Sequence, residues 1–278
     1  MHDIRVGAAV CRAPVRSVQE TLRRMRRWVK KARDQGADIL CFPEMNVTGY
    51  SIRHQIREAA EPIPGPVTAA LSELAAAGNM VLLAGMAEKG EKGGIYASHL
   101  AVFPDKRIDV YRKLHIAPPE EGLFTPGNRL PLFEFKGVTF GIQLCYDAHF
   151  PELSTAMALK GAEVLFFPHA SPRGSSKEKY FSWMRHLPAR AFDNSLFAVA
   201  CNPVGENGEG LSFPGVALVL GPDGRVLAKC LGKKEGLLVV DLKKRDLTRV
   251  RAHRMQHFLP RRRPEIYRLQ RADDNRKT

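Results

Sequence analysis

Gly36-Ala37-Asp38-Ile39-Leu40-Cys41-Phe42-Pro43 reads as a short buried strand, entered from a helix and stopped by proline. The phrase returns as Gly161-Ala162-Glu163-Val164-Leu165-Phe166-Phe167-Pro168. In each copy a glycine suits the end of the preceding helix, an acid follows, and an apolar run continues without period-2 polarity. Upstream, Gly7-Ala8-Ala9-Val10-Cys11 is matched in the same order by Gly141-Ile142-Gln143-Leu144-Cys145. Runs of this kind are strands buried on both faces, in sheets covered by helices. The repetition predicts an α/β chain of two related halves, with two sheets face to face and helices outside.

Working outward, strands are expected over 4–11, 80–86 and 95–103, with helices between them. Val18, Leu22, Met25, Val29 and Ala32 share one helical stripe, and 66–77 is a second helix. The later half predicts strands over 138–145, 162–168, 196–200 and 216–220, and helices over 151–160 and 177–194, the latter interrupted at Pro188. Pro222-Asp223-Gly224 is a turn that lets 226–229 pair back, and 237–240 is the last strand. No linker separates the halves. Residues 1–260 read as a single domain, followed by a basic C-terminal extension over 261–278.

The chain has 278 residues, 44% of them hydrophobic and 26% charged, an ordinary balance for a folded protein. No apolar run approaches the length of about 18 residues that a membrane helix needs. Met1-His2-Asp3-Ile4-Arg5-Val6 lacks the layout of a signal peptide, so no membrane association and a cytoplasmic location are expected. The five cysteines, at 11, 41, 145, 201 and 230, are odd in number and show no C-x-x-C pair, which argues against a disulfide framework or a zinc cluster. The net charge of +14 raises a nucleic-acid partner, but much of it sits in Arg23-Arg24-Met25-Arg26-Arg27-Trp28-Val29-Lys30-Lys31 and in Arg261-Arg262-Arg263. In the first of these the cations cover the helix faces left by the apolar stripe, the pattern of a solvated surface. No nucleic-acid-binding motif accompanies them.

Three segments can carry chemistry. Glu44, in Phe42-Pro43-Glu44-Met45-Asn46-Val47-Thr48-Gly49-Tyr50, stands where a buried strand ends, and strand ends in α/β folds are where loops converge on a crevice. Lys113, in Tyr111-Arg112-Lys113-Leu114-His115-Ile116, also closes a strand, and Glu120 follows. Cys145 ends a strand before a turn into a helix, where backbone N–H groups favour a thiolate and a developing oxyanion. Cys11, Cys41 and Cys201 read as core residues. On residues alone, a Cys–His pair using His115, His149 or His169, or a metal on those histidines, remains a rival arrangement, although neither has a diagnostic spacing.

Together the three segments resemble the motifs of the nitrilase, or carbon–nitrogen hydrolase, superfamily. Tyr96-Ala97-Ser98, Ala189-Arg190-Ala191-Phe192-Asp193-Asn194, Asn202-Pro203-Val204-Gly205 and Arg262-Arg263-Pro264-Glu265-Ile266-Tyr267 are similar to further family segments. The resemblance covers nearly the whole chain. It implies a four-layer α-β-β-α sandwich, a homodimer or higher homo-oligomer with the C-terminal segment at the interface, and no metal or organic cofactor.

The resemblance also implies a Glu–Lys–Cys triad. Glu44 is the general base, Cys145 the nucleophile and Lys113 the oxyanion partner, aided by the backbone N–H of Tyr146. Glu120 positions the lysine, unless the neighbouring Glu121 takes its place. These roles call for a Glu44 pKa near neutrality and a Cys145 pKa below its free value. The expected reaction cleaves a small amide or N-carbamoyl compound through a thioester. Tyr146 and Asp147 stand where true nitrilases usually have tryptophan and glutamate, so nitrile hydrolysis is the alternative. His149, His169 and Arg173 are candidate contacts for a substrate carboxylate. A non-catalytic basic protein on the same scaffold is the remaining reading.

Overall fold

The computed structural model describes residues 1–90 and 93–267. The first half runs β1 (Ile4–Val10), α1 (Val18–Asp34), β2 (Ile39–Cys41), α2 (Pro66–Gly78), β3 (Val81–Lys89), β4 (Ile95–Val102) and β5 (Ile108–Arg112). The second runs β6 (Phe133–Phe135), β7 (Val138–Ile142), α3 (Pro151–Leu159), β8 (Val164–Pro168), α4 (Ser176–Trp183), α5 (Leu187–Asn194) and β9 (Phe197–Asn202). A small pair, β10 (Gly205–Glu206) and β11 (Ser212–Phe213), precedes β12 (Gly215–Leu220), β13 (Val226–Gly232), β14 (Gly236–Leu242) and α6 (Lys244–Ala252).

The strands form two six-stranded sheets, ordered β14-β1-β2-β3-β4-β5 and β13-β12-β9-β8-β7-β6. β1 packs on β9 and β12 across the gap between the sheets. Val6, Ala8, Ile39, Phe140, Phe166 and Val199 belong to one buried cluster there. Outside the first sheet, Leu22, Met25 and Val29 of α1 and Leu71 and Ala75 of α2 pack on Leu40, Leu82 and Leu100. α3 and α5 cover the second sheet. These are the four layers, α-β-β-α.

The repeated phrases take the same place in both sheets. β1 and β2 pair in parallel with Gly7 opposite Leu40, and β7 and β8 pair in parallel with Gly141 opposite Leu165. A Cβ on Gly7 would lie 3.0 Å from the Leu40 side chain, and one on Gly141 would lie 2.9 Å from that of Leu165. A leucine therefore lies over the facing glycine in both halves, a shared packing detail behind the repeat.

The structure adds the short strands β6, β10 and β11 and differs from the expected elements elsewhere as well. β7 stops at Ile142, so Cys145 stands beyond the strand, in a 3₁₀ turn over Cys145–His149. The break in the 177–194 helix falls at 184–186, and Pro188 sits in the first turn of α5, where its missing N–H costs nothing. β14 leaves the β12–β13 hairpin and pairs antiparallel with β1, tying the end of the chain to the first sheet. α6 was not expected; its Leu247 and Val250 are buried among many charges. Of the basic extension, 261–267 lies on the surface after a short 3₁₀ turn, and 268–278 lies outside the described residues. Among the described residues no helix is long and apolar enough to cross a membrane.

One glycine makes room for the site. After β2 the chain crosses β3: the Val47 N–H donates to Gly85 O (2.9 Å), and the Gly85 N–H donates to Asn46 Oδ1 (2.8 Å). A Cβ on Gly85 would stand 2.4 Å from Met45 N. Gly85→Ala must push back the loop that carries Glu44. Overpacking of this kind costs about 1–3 kcal/mol. We expect a lower Tm in thermal unfolding and a disproportionate fall in catalytic rate; an unchanged Tm would contradict the crossing.

Candidate active site

Glu44, Lys113 and Glu120 form one buried cluster, none more than 2% exposed. Lys113 Nζ donates to Glu44 Oε1 (2.9 Å) and to both oxygens of Glu120 (2.8 Å each). The second oxygen of Glu44 accepts from Ala170 N–H (3.0 Å), and Glu44 N–H donates to His169 O (3.2 Å). Glu44 and His169 each directly follow the proline that ends their copy of the repeated phrase. The two halves thus meet at equivalent positions, and Glu44 bridges them. Glu120 is fixed by Tyr50 OH (3.0 Å) and Ala117 N–H (3.0 Å). Glu121 is exposed.

Cys145 has φ +41°, in the left-handed region that a residue with a Cβ avoids. Such strain costs on the order of 1–3 kcal/mol and persists only where the surroundings impose it. Asp147 imposes it. Its fully buried carboxyl group accepts from Leu144 N–H (3.0 Å), Tyr111 OH (2.7 Å), His115 N–H (2.8 Å) and His115 Nδ1–H (2.8 Å). One acid therefore ties the turn bearing Cys145 to the segment bearing Lys113.

Charge balance sets the ionisation. Two carboxylates share one ammonium out of water. Burial, reinforced by Glu120 and only partly offset by Lys113, raises the Glu44 pKa from the ordinary carboxylate range to about 7. Burial alone would lower the Lys113 pKa, but Glu44 and Glu120 reverse this and hold it above the usual lysine range. The expectation for Glu44 agrees with these surroundings; that for Cys145 does not. Burial first, then the Glu44 charge, pushes the Cys145 thiol up to about 12, outweighing Lys113. These surroundings favour the thiol over a preformed thiolate.

The other expected residues are spread around this centre. Tyr146 is half-buried beside Cys145 in the same turn. His149 is exposed and packs on His186, with ring centroids 4.6 Å apart. The His169 ring is bonded to Phe167 O (2.8 Å) and lies against Trp183, so its backbone rather than its ring faces Glu44. Arg173 is exposed. Lys179, half-buried on α4, donates to Ser171 Oγ (2.6 Å) and Pro172 O (3.3 Å), and burial lowers its pKa, partly offset by the Cys145 charge. His115, a rival base on sequence, is turned to Asp147 and stacked on Phe150. Cys11, Cys41 and Cys201 are buried, and Cys11, at the position matching Cys145, is 5% exposed.

The bonding roles of Tyr50, Tyr111, Asp147 and Ala170 are not apparent from residue type. Tyr50 and Tyr111 lie inside the segments quoted for Glu44 and Lys113, and Asp147 stands two residues after Cys145, which was the available signal. Ala170 acts through its backbone, which leaves no mark on residue type.

The family model described as carbon–nitrogen hydrolase matches residues 7–252. The chain belongs to the carbon–nitrogen hydrolase family. An (R)-stereoselective amidase from Pseudomonas sp. is 34% identical over 222 residues, covering 79% of this chain and 77% of that protein. A nitrilase from Pyrococcus abyssi is 33% identical, covering 82% and 84%. The crystal structure of an amidase from Nesterenkonia sp. superposes with a TM-score of 0.81 at 27% identity, covering 95% of both chains. A glutamate variant of the amidase from Nesterenkonia sp. AN1, with a TM-score of 0.81 at 27% identity and covering 95% of this chain and 96% of that one, shows covalent addition of the acetamide moiety of fluoroacetamide at its active-site cysteine.

Asp147→Asn tests the clamp. An amide must present an NH₂ to one of the donors that the carboxyl group now accepts. Leaving such a buried group mispaired costs about 1–3 kcal/mol. We expect a lower Tm together with a fall in kcat, read by thermal unfolding and ammonia release. Retention of both would show that Asp147 does not hold the two segments.

Proposed function

We propose that this carbon–nitrogen hydrolase cleaves small amides through a thioester on Cys145, with Glu44 as base and acid in turn. The observation that carries the reading is the Lys113 ammonium held between Glu44 and Glu120 (2.8–2.9 Å) beside a strained cysteine turn. A carboxylate with a pKa of about 7 can take a proton and return it near neutral pH.

Glu44 removes the Cys145 thiol proton as Sγ bonds to the substrate carbonyl carbon. The resulting oxyanion is stabilised by Lys113 and by the backbone N–H of Tyr146. Glu44 then gives its proton to the departing nitrogen, the C–N bond breaks, and ammonia or an amine leaves. Glu44 next takes a proton from water as the oxygen adds to the thioester. The C–S bond breaks, the acid product leaves, and the proton returns to sulfur. The same cycle accommodates an N-carbamoyl substrate. The cytoplasm is the expected setting.

Cys145→Ala should abolish ammonia release from every accepted amide, and undiminished release would end the proposal. A matched nitrile panel separates amide from nitrile hydrolysis, since release from nitriles but not amides selects the alternative. For the parent enzyme kcat/KM should rise as pH passes through about 7, where Glu44 loses its proton, and then level off. A profile flat from pH 5 to 9 would remove Glu44 as the base.

We also propose that the chain works as a homodimer or higher homo-oligomer through its C-terminal segment. Met255, Phe258, Ile266 and Tyr267 are exposed there, which suits a surface covered by a second copy. Sedimentation should give at least twice the 31.0 kDa chain mass. A monomer at micromolar concentration would refute this.

A further inference from the structure

The basic helix seen in the sequence takes no part in the site above. Its Arg23, Arg24 and Arg27 line a cleft of about 710 Å³, within the size range of small-molecule sites. Separate parts of the chain converge on it: α1, Arg12 after β1, Val204 after β9, and Lys233, Lys234 and Glu235 at the turn from β13 to β14. It shares no lining residue with the Glu44, Lys113 and Cys145 cluster.

The floor is organised. Glu235 pairs with the half-buried Arg24, and the same oxygen accepts from Arg12 N–H (2.9 Å). That pairing neutralises Glu235 and draws the hairpin turn against α1. Glu20 is the remaining acid of the lining, against Arg12, Arg23, Arg27, Lys233 and Lys234 as the remaining cations. Arg23 and Arg27 lie one helical turn apart, a like-charge arrangement that weakens a helix unless an anion lies between them. Guanidinium groups bind phosphate oxygens in pairs, and the mixture of arginine with mobile lysine suits a ligand bearing several such groups. The walls are predominantly polar side chains, so a large apolar body is not what they select.

We propose that this cleft binds small multivalent anions of the polyphosphate class. Binding should be electrostatic, and should therefore weaken as salt screens the exposed cations.

The test is calorimetric titration of the full chain with sodium tripolyphosphate at about 0.15 M ionic strength, where charges more than about 8 Å apart are largely screened. A saturable single site is expected. Arg23→Glu/Arg27→Glu should weaken it about tenfold or more, equivalent to about 1.4 kcal/mol. Lys233→Ala/Lys234→Ala should weaken it in the same direction. Arg26→Glu/Lys30→Glu makes the same charge change on the same helix, at residues lining a different cleft, and should leave affinity within about twofold. Thermal unfolding of each variant confirms that it is folded. Absence of saturable binding would overturn the proposal. So would equal weakening by the two helix pairs, which would mean attraction to net charge alone. Binding to a single-stranded RNA oligomer with none to tripolyphosphate would overturn it in favour of a nucleic-acid surface.

Discussion

A lysine ammonium almost wholly removed from water must be surrounded by acceptors, and Lys113 finds them on two carboxylates from distant parts of the chain. Losing one partner of a buried ion pair costs about 3–5 kcal/mol, so the cluster constrains the fold as strongly as it serves chemistry. Glu44 follows β2 and Lys113 follows β5, with β3 and β4 between them in the sheet. Strands lie about 4.8 Å apart, so the two segments begin on the order of 14 Å from each other. The chain after β2 spans that gap by crossing β3 at Gly85, where no side chain blocks it. The acids outnumber the ammonium, and the surplus negative charge helps keep the Glu44 proton available near neutrality.

The second half completes the arrangement from the opposite side. Ala170 N–H and His169 O hold Glu44, while Asp147 binds the Cys145 turn to the Lys113 segment. The pseudo-repeat explains the meeting point. Equivalent strand ends approach each other between the face-to-face sheets, and the two halves have diverged in what they place there. One presents a carboxylate after its proline and the other a histidine whose backbone serves as acceptor. The cysteines diverge similarly: Cys11 stays in the core, and Cys145 is lifted onto a strained turn. The Cys145 thiol is half-buried by exposure, yet desolvation and the nearby Glu44 charge raise its pKa as desolvation raises that of Glu44.

Much of this was legible in the sequence. The twin phrases beginning at Gly36 and Gly161 predict the two sheets, and the glycine–leucine packing in both confirms their equivalence. The three chemical segments contain Glu44, Lys113 and Cys145, and the structure brings Glu44 and Lys113 into contact beside Cys145. What escaped the reading depends on long-range geometry or on backbone. Residue type does not announce that Asp147 accepts from both sides of a loop junction, or that β14 returns to the first sheet. The ionisation of Cys145 was misjudged because a turn before a helix suggests a stabilised thiolate. Burial beside the Glu44 charge reverses that effect. Arg173, a candidate substrate contact by its place after β8, is exposed, and Lys179 on α4 is a second cation of the same region that the sequence did not single out.

The central claim is that the buried cluster holds Glu44 as a base that titrates near neutrality. Infrared difference spectra recorded across a pH series, comparing the parent enzyme with Glu44→Gln, observe that carboxyl group directly. A protonated-carboxyl band with a midpoint near pH 7, present in the parent and absent from the variant, is the predicted result. Identical spectra for the two proteins between pH 5 and 9 would contradict it, because Glu44 would then remain in one protonation state throughout.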